Sequence, residues 1–377
     1  MPLVLVVDHK IPEPNRDAGS RSTAHLLRGL VSEGFAVTFW PTDMRFRSCY
    51  ADQLVASGVD LLAQDGRIYS TDELRSWLKE HQGSSAWVFL SRPSSAELFL
   101  SVSQDISGFR FAYHGHDLHH RRLEREAKNK FSDLDLLDLA DQMYQKETQI
   151  WSQMDLIYYP AIDEVFEVRG WLDEHSINIP VRQLPVFSYT MSQLAETTMQ
   201  PQQPEGQRLL FVAGYAHRPN IDAALWFIRE AWPLVQFRHP SAELWLVGSY
   251  PPPEIEASAS TTIRVTGAVS DVVLDDLYRS SRVAIAPIRY GAGVNGKVVE
   301  AMRYGLPCVC TPEAARGFDD YGAALRIAAK PQDFARACRE LLTQDELWQI
   351  QSIASIEYVR NHFSEHSLQD ALKSMLT

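Results

Sequence analysis

Three glycines within six residues mark the stretch of this sequence best suited to chemistry. Gly291, Gly293 and Gly296 follow an apolar run and precede a helical pattern that carries Lys297 and Glu300. Glycines at a strand-to-helix turn let backbone N–H groups crowd at the helix N-terminus, where the helix dipole favours an anion such as a diphosphate. Lys297 adds a positive charge, and Glu300, one turn deeper, could accept hydrogen bonds from a ribose diol. The spacing predicts a nucleotide site.

The elements around this turn form one βαβ step. We predict a strand at Val283–Pro287, a helix that opens near Lys297 and stops at Gly305–Pro307, and a second strand at Cys308–Cys310. Glycine-rich turns also serve plain α/β packing, and a single such turn is weak evidence. The added lysine, glutamate and Gly-Leu-Pro stop favour the functional interpretation.

Three runs together resemble a known enzyme family. They are GAGVNGKVVEAMRYGLPCV at Gly291–Val309, FVAGYAHRPNIDAALWF at Phe211–Phe227, and LWLVGS at Leu244–Ser249. The combination resembles the retaining GT-B glycosyltransferases related to family 4, the glycosyl transferases group 1. The resemblance covers most of the chain and is densest from 209 to 318. It implies an α/β fold of GT-B architecture, with two Rossmann-like domains facing across a cleft.

The resemblance also assigns residues to a nucleotide-sugar site. The helix after Gly296 would hold the nucleotide, and Glu300 would bind its ribose. Most relatives carry another glutamate where this chain has Ala292, which puts the usual side-chain contact to the donor sugar in question but leaves the backbone N–H groups of the loop available. The residues assigned to nucleotide-sugar binding here, including backbone contacts to the base near the preceding strand, are Gly267, Val269, Gly291, Ala292, Gly293, Val294, Asn295, Gly296 and Glu300.

A second loop of the same half follows the predicted strand Leu209–Ala213. Gly214 permits close backbone approach, and the helix from Asn220 offers another anion-binding end. Many relatives place a basic residue in this loop against the diphosphate. By position more than by type, we assign that role to Arg218, with His217 behind it; an ordinary exposed arginine is the alternative.

The first half alternates apolar runs with helical patterns, which predicts one Rossmann-like domain. Helices are expected at Thr23–Ser32, 71–80 and 120–152. The predicted strands are Leu3–Val7, Ala36–Trp40, Ala86–Leu90, Phe109–Tyr113 and Leu156–Tyr159.

Two loops of this half are candidate ligand sites, because ligands of open α/β sheets bind at the carboxyl ends of the strands. The loop after the first strand contains Asp17 and Gly19, and the resemblance favours Gly19 near the cleft; a turn without a ligand is the alternative. After the fourth strand, His116 and Asp117 combine an imidazole with a carboxylate. Relatives often place a donor-sugar histidine there, for which we choose His116. The alternative is that Asp117 caps the following helix.

Length and pattern predict two domains. The chain has 377 residues, two to three times a typical single domain. A polar, proline-containing stretch near Ser188–Gln207 indicates a linker. We therefore divide the chain into a first domain (1–190), a linker (191–207), a second domain (208–360) and a terminal helix (361–377). In GT-B proteins the terminal helix crosses back to the first domain.

Charge and cysteine content exclude several function classes. The formal net charge is −12, and neither half has the positive field of a nucleic-acid binder. Cys49, Cys308, Cys310 and Cys338 form no CxxC pair, and we expect no metal site. No run is long and apolar enough to span a membrane, so we expect a cytoplasmic protein. The basic run His119–Lys130 could contact anionic lipid or an acceptor's phosphate, but the pattern favours a solvated helix face.

The resemblance implies transfer of a glycosyl unit from a nucleotide-sugar to a hydroxyl, with retention of configuration and without a metal or further cofactor. Lys297, Arg218 and the loop N–H groups would stabilise the departing diphosphate, while His116, beside Asp117, would orient the sugar. Ala292 and Ala161, which replaces a serine of the family, motivate a binding partner without turnover as an alternative; a sugar-nucleotide epimerase of the same fold is another. Polysaccharide, lipid-linked glycan and protein acceptors all stay open, as do the sugar, the base and the oligomeric state.

Overall fold

The computed structural model describes residues 1–16, 18–83, 86–129, 133–195, 203–291, 293–373 and 375. The chain divides into two compact units. Unit 1 comprises Met1–Ser188 with Glu365–Thr377, and unit 2 comprises Tyr189–Ser364.

Unit 1 is built on a parallel sheet of seven strands in the order β3-β2-β1-β6-β7-β8-β9. Because helices cover both faces of such a sheet, its central strands are nearly all apolar; every residue of β6 and β8 is buried. A short antiparallel hairpin, β4–β5, is separate from it. The strands of unit 1 are β1 (Leu3–Asp8), β2 (Ala36–Pro41), β3 (Val59–Leu61), β4 (Ala63–Gln64), β5 (Arg67–Ile68), β6 (Trp87–Ser91), β7 (Arg110–His114), β8 (Leu156–Tyr159) and β9 (Val181–Gln183).

Helices alternate with these strands along the chain, as in a Rossmann-like domain. Ser70 and Glu73 form a reciprocal capping box at the start of α3, which fixes its first turn. The helices are α1 (Ala18–Ser32), α2 (Ser48–Ala56), α3 (Thr71–Glu80), α4 (Pro93–Val102), α5 (His119–Asn129), α6 (Leu134–Trp151) and α7 (Ile162–Glu174).

Unit 2 repeats the plan with a parallel sheet of six strands in the order β12-β11-β10-β13-β14-β15. The chain order reverses between β10 and β13, which is where ligands bind in open α/β sheets. Cys308 and Cys310 are both buried in β14, the strand predicted at these positions. The strands are β10 (Arg208–Val212), β11 (Glu243–Val247), β12 (Ile263–Gly267), β13 (Val283–Ala286), β14 (Cys308–Cys310) and β15 (Leu325–Ile327).

Helices α9 to α13 connect these strands, α8 precedes them, and α14 and α15 follow them; the last helix, α16, belongs to unit 1. A π-helical turn, Phe227–Ala231, joins α9 to α10. The helix α16 at the end of the chain packs on α1, where Gly29 leaves room for Leu368 and Leu372. The helices are α8 (Met191–Ala195), α9 (Arg218–Trp226), α10 (Trp232–Gln236), α11 (Pro253–Glu256), α12 (Asp271–Ser280), α13 (Gly296–Arg303), α14 (Pro331–Thr343), α15 (Asp345–His362) and α16 (Glu365–Lys373).

The structure departs from the predicted elements in several places. The long helix expected at 120–152 is two helices, α5 and α6, and the segment expected as a linker contains α8 and begins unit 2. The short edge strands β3, β9 and β15 and the helices α2 and α4 were not anticipated. Edge strands of three residues show too little alternation to be recognised from pattern alone.

Gly248 lies where the carboxyl ends of β10 and β11 approach each other closely. Its φ is +148°, and a Cβ there would lie 1.8 Å from the carbonyl oxygen of Ala213. The N–H of Ala213 donates to the carbonyl of Val247 over 2.8 Å, so the two strands cannot separate to make room. Only glycine fits this position.

We predict that Gly248→Ala destabilises unit 2 by about 2–3 kcal/mol, because the methyl group would displace backbone rather than a side chain. Its melting temperature should fall by roughly 4–12 °C in calorimetry. Gly206→Ala is the control, since a Cβ at Gly206 meets no atom within 4 Å. Equal melting temperatures for the two variants would contradict the prediction.

Candidate functional site

Lys297 joins the two glycine-containing loops at the switch point of unit 2. Its Nζ donates to Asn220 Oδ1 over 3.1 Å and to Asn295 Oδ1 over 3.2 Å. Asn220 Nδ2 in turn donates to the carbonyl of Gly214 over 2.8 Å. The loop after β10 and the N-terminus of α13 are therefore connected through one ammonium group. From the sequence, Asn220 was predicted only as the start of a helix. No sequence pattern indicated a role for its side chain.

The surroundings of Lys297 contain partial charges rather than a counter-ion. Within the described residues, its hydrogen-bond partners are two amide oxygens, and the ring of Phe211 lies 5.9 Å from Nζ. Burial lowers the pKa of Lys297 from 10.5 to about 8. A desolvated cation without a carboxylate is electrostatically unsatisfied. The site therefore favours a bound anion.

Arg289 is a second cation beside this turn, which the sequence analysis missed. It follows β13, and its guanidinium pairs with Asp222 of α9, with Nε donating to Oδ2 over 2.8 Å and Nη2 to Oδ1. The arginine immediately precedes Tyr-Gly-Ala-Gly, which was the available signal. This ion pair is a second link between the β10 and β13 connections.

Glu300 lies on α13, one turn beyond Lys297. The hydroxyl of Tyr278 donates to Glu300 Oε2 over 3.5 Å, and the Tyr278 ring stacks on Tyr304 with centroids 4.7 Å apart. The stack places the hydroxyl beside the carboxylate, so α12 helps to orient Glu300.

The other predicted residues of unit 2 lie along the same carboxyl edge. Gly293 and Gly267 have positive φ values of 70° and 68°, and Asn295 is the N-cap of α13. Arg218 is the first residue of α9 rather than a loop residue; its side chain is exposed and has no hydrogen bond or ion pair among the described residues. Gly214 and His217 are exposed, Val269, Val294, Gly291 and Gly296 are half-buried, and Ala292 lies outside the described residues.

Unit 1 carries a buried carboxylate at its own switch point, between β1 and β6. Asp8 ends β1, and its Oδ2 accepts from the Thr23 hydroxyl over 2.7 Å. Its Oδ1 accepts from the N–H of His9 over 2.7 Å and from Arg92 Nε over 2.9 Å. Burial would raise the pKa of Asp8, but the charge of Arg92 and the hydrogen bond from His9 hold it well below the usual range.

Two histidines stand beside this pair at the end of β7. The rings of His114 and His116 lie 4.1 Å apart, and His116 has a φ of 64°. Both ring nitrogens of buried His114 and Nε2 of His116 have no hydrogen-bond partner among the described residues. Burial, and then the charge of Arg92, lowers the pKa of both histidines, to about 3 for His114. His114, which the sequence analysis did not select, is thus a neutral imidazole with unused polar atoms.

Asp117 does not cap α5, which was the alternative considered from the sequence. The N–H of Leu118 donates to Glu164 Oε1, and those of His119 and His120 donate to the two oxygens of Glu147, each over 3.1 Å. Asp117 instead accepts from Arg122 over 2.8 Å and lies 3.0 Å from Nε2 of His119. Carboxylates from α6 and α7 therefore hold the start of α5.

The remaining predictions for unit 1 concern Gly19 and the basic run. Gly19 lies in the first turn of α1, where its carbonyl accepts from Thr23 Oγ1 over 3.2 Å, while Asp17 and Lys130 lie outside the described residues. Arg121 pairs with Glu124 and Glu167. One carboxylate within the basic run and one on α7 thus neutralise part of its charge.

Neither a membrane span nor a metal cluster is found in the described parts of the chain. No helix there is long and apolar enough to cross a membrane. No group of three or more histidine, cysteine, aspartate or glutamate side chains is arranged there to hold a metal ion.

Comparisons with known proteins agree with this architecture. Residues 206–344, within unit 2, match the family model for glycosyl transferases group 1. The chain is similar in structure to sucrose-phosphate synthase from Thermosynechococcus elongatus, with a TM-score of 0.68 and 14% identity over 100% of this chain and 98% of that one. For a glycosyltransferase from Rickettsia africae the TM-score is 0.68 and the identity 12%, over 100% and 99%.

A third similar structure is Anabaena HepE in complex with UDP-glucose, with a TM-score of 0.63 and 11% identity over 100% of this chain and 99% of that one. No curated protein sequence matches significantly. At these identities the structures share a fold with this chain, and the fold is GT-B. The family match and the fold together support a glycosyltransferase.

We predict that Arg92→Met destabilises unit 1 by about 2–4 kcal/mol at pH 7, because it leaves the buried Asp8 carboxylate without its counter-charge. The double variant Arg92→Met/Asp8→Asn should recover most of the loss. Since the pKa of Asp8 is below its ordinary 3.8, the contribution of the pair is full above that pH and declines below it.

The measurement is calorimetric unfolding of these variants between pH 3 and pH 7. Lys146→Met is the control, because Lys146 pairs with Glu97 at the surface of the same unit and such pairs contribute about 0–1 kcal/mol. A loss from Arg92→Met as small as that of the control would show that Asp8 does not depend on Arg92.

Proposed function

We propose that this chain transfers a glycosyl unit from a nucleotide-sugar to a hydroxyl acceptor, with retention of configuration and without a metal ion. The observation that carries the proposal is the half-buried Lys297 ammonium, which donates hydrogen bonds to Asn220 and Asn295 where two glycine-containing loops meet. A cation whose partners among the described residues are amide oxygens suits a diphosphate, whose charge would complete the site. The match to glycosyl transferases group 1 over the same residues supports a sugar nucleotide as the diphosphate.

In the proposed reaction, the bond between the anomeric carbon and the β-phosphate oxygen breaks, and the acceptor oxygen bonds to that carbon. The acceptor proton leaves with the nucleoside diphosphate. Negative charge grows on the departing oxygen, so preorganised donors aimed at it supply the main catalytic effect. Lys297, Arg218 and the N–H groups of Gly291–Gly296 are proposed for this role.

Other residues are proposed to bind and orient the donor. Glu300, oriented by Tyr278, would accept hydrogen bonds from the ribose hydroxyls. Backbone groups at Gly267 and Val269 would face the base. In unit 1, His116 beside Asp117 is proposed to contact the donor sugar; its pKa is lowered by burial, so it would do so as a neutral imidazole.

The test begins with donor binding and continues with turnover. UDP-glucose is the first donor to try, because the Anabaena neighbour was solved with it, followed by GDP- and ADP-sugars. Polysaccharide, lipid-linked and peptide acceptors should be assayed with and without EDTA. Product formed with retained anomeric configuration and unaffected by EDTA supports the proposal. Interconversion of sugar nucleotides without an acceptor would instead indicate an epimerase, and binding without turnover a partner protein.

We predict that Lys297→Met lowers the transfer rate by about 100- to 1000-fold, because one preorganised donor to the departing diphosphate is lost. The assay compares initial rates at saturating donor. Lys330→Met removes an exposed lysine of the same unit and should leave the rate unchanged. Equal rates for the two variants would remove Lys297 from the mechanism.

We also predict that nucleoside diphosphates bind less tightly as the pH rises above about 8. The pKa of Lys297 in the empty site is about 8, and a bound diphosphate favours the charged form. Above that pH the lysine must take up a proton on binding, which weakens binding by up to about tenfold per pH unit. Calorimetric titration of UDP from pH 7 to pH 9.5 measures this. In Lys297→Met the decline should be absent. If the affinity of the wild type stays the same over this pH range, the prediction is contradicted.

A further inference from the structure

Tyr250 has an unusual backbone conformation for its residue type. It follows β11, its φ is 57°, and its side chain is 80% exposed. A bulky side chain in the left-handed region costs free energy, and such residues cluster at functional sites. Exposure of a large aromatic ring adds a second cost, since the ring gains nothing from burial. Neither cost is offset by a contact of the ring: Tyr250 makes no hydrogen bond, ion pair or ring contact among the described residues.

The position of Tyr250 is fixed by the loops on both sides. The N–H of Tyr215, in the loop after β10, donates to the carbonyl of Ser249 over 3.0 Å. The N–H of Gly248 donates to the carbonyl of Gly267 at the end of β12, also over 3.0 Å. Tyr250 therefore stands at the carboxyl edge of the sheet between the Gly214 loop and the Gly267–Val269 loop.

The chain after Tyr250 limits its freedom to turn away. Three prolines follow, and α11 begins at the third, Pro253. Proline fixes its own φ and restricts the residue before it. The ring is thus presented by a short, stiff segment, which lowers the entropy lost when it packs against a ligand.

We propose that Tyr250 stacks on the base of the nucleotide-sugar. This inference rests on the proposed function and adds a residue that recognises the base. An aromatic ring accepts any base on its face, because every base has a π-face. Stacking would bury the ring that is now exposed and would explain why a tyrosine occupies a conformation that glycine adopts more readily.

Exposure alone does not distinguish Tyr250, since Phe237 is 79% exposed in the same unit. Phe237 directly follows α10 and precedes β11, so it lies toward the amino end of the strand whose carboxyl end leads to Tyr250. Arg238 covers its ring at 5.5 Å. Phe237 is therefore a matched control: an equally exposed ring at the opposite end of β11.

The experiment is calorimetric titration of the full chain with UDP, GDP, ADP and inorganic pyrophosphate. The variants are Tyr250→Gly, Tyr250→Phe and Phe237→Ala. Tyr250→Gly removes the ring and relieves the backbone, so its melting temperature should equal or exceed that of the wild type. Its affinity for the nucleoside diphosphates should fall about tenfold or more, while pyrophosphate affinity should stay within about twofold. Tyr250→Phe and Phe237→Ala should bind like the wild type.

Each other outcome overturns a specific statement. Nucleoside diphosphate affinities of Tyr250→Gly within about threefold of the wild type would overturn the stacking alone. An equal loss for pyrophosphate, or a loss accompanied by a lower melting temperature, would assign Tyr250 a role in loop structure instead. Failure of the wild type to bind any of the nucleoside diphosphates would overturn the proposed function, and the stacking with it.

Discussion

The candidate site depends on the desolvated ammonium of Lys297 and on the hydrogen bonds that it donates. Burying a cation is costly unless hydrogen bonds and an opposite charge compensate. Asn220 and Asn295 supply the hydrogen bonds, and each comes from the start of a different helix. Because Asn220 also holds the Gly214 carbonyl, the charge organises both loops at the switch point. The missing opposite charge is what a diphosphate would provide, so the same feature that weakens the empty site strengthens the occupied one.

Units 1 and 2 have the same sheet topology but carry different charged groups at the switch point. Each is a parallel sheet whose chain order reverses beside its first strand, which brings the polar loops to one edge. At that edge unit 2 holds Lys297, which has no carboxylate partner among the described residues, whereas unit 1 holds a carboxylate, Asp8, already neutralised by Arg92. Unit 1 instead offers uncharged polar atoms, those of His114 and His116. Neutral donors and acceptors suit hydroxyl groups, and a cation held by amide oxygens suits phosphates.

The sequence predicted the α/β plan of both units well, because buried parallel strands appear as continuous apolar runs and the glycine-rich turn has a fixed spacing. Lys297 and Glu300 were found because they follow that turn directly. Asn220, Arg289 and His114 were not singled out, because their importance comes from neighbours distant in the chain: Asn220 meets Lys297 across 77 positions. The capping of α5 by Glu147 and Glu164 was missed for the same reason, since the local pattern offered only neighbours such as Asp117 as alternative caps. Contacts between residues distant in the chain produce no periodic pattern in the sequence.

Backbone conformation adds information that residue type does not carry. Glycines with positive φ at Gly267 and Gly293 are inexpensive and were expected in loops. Arg92, His116 and Tyr250 adopt positive φ values without that freedom, and all three follow strands at the carboxyl edge of a sheet. In unit 1 a contact accompanies each: Arg92 pairs with Asp8, and the tilted ring of His116 contacts that of His114. Tyr250 has the same conformational cost with no such contact among the described residues, which is why a ligand is the most economical partner for its ring.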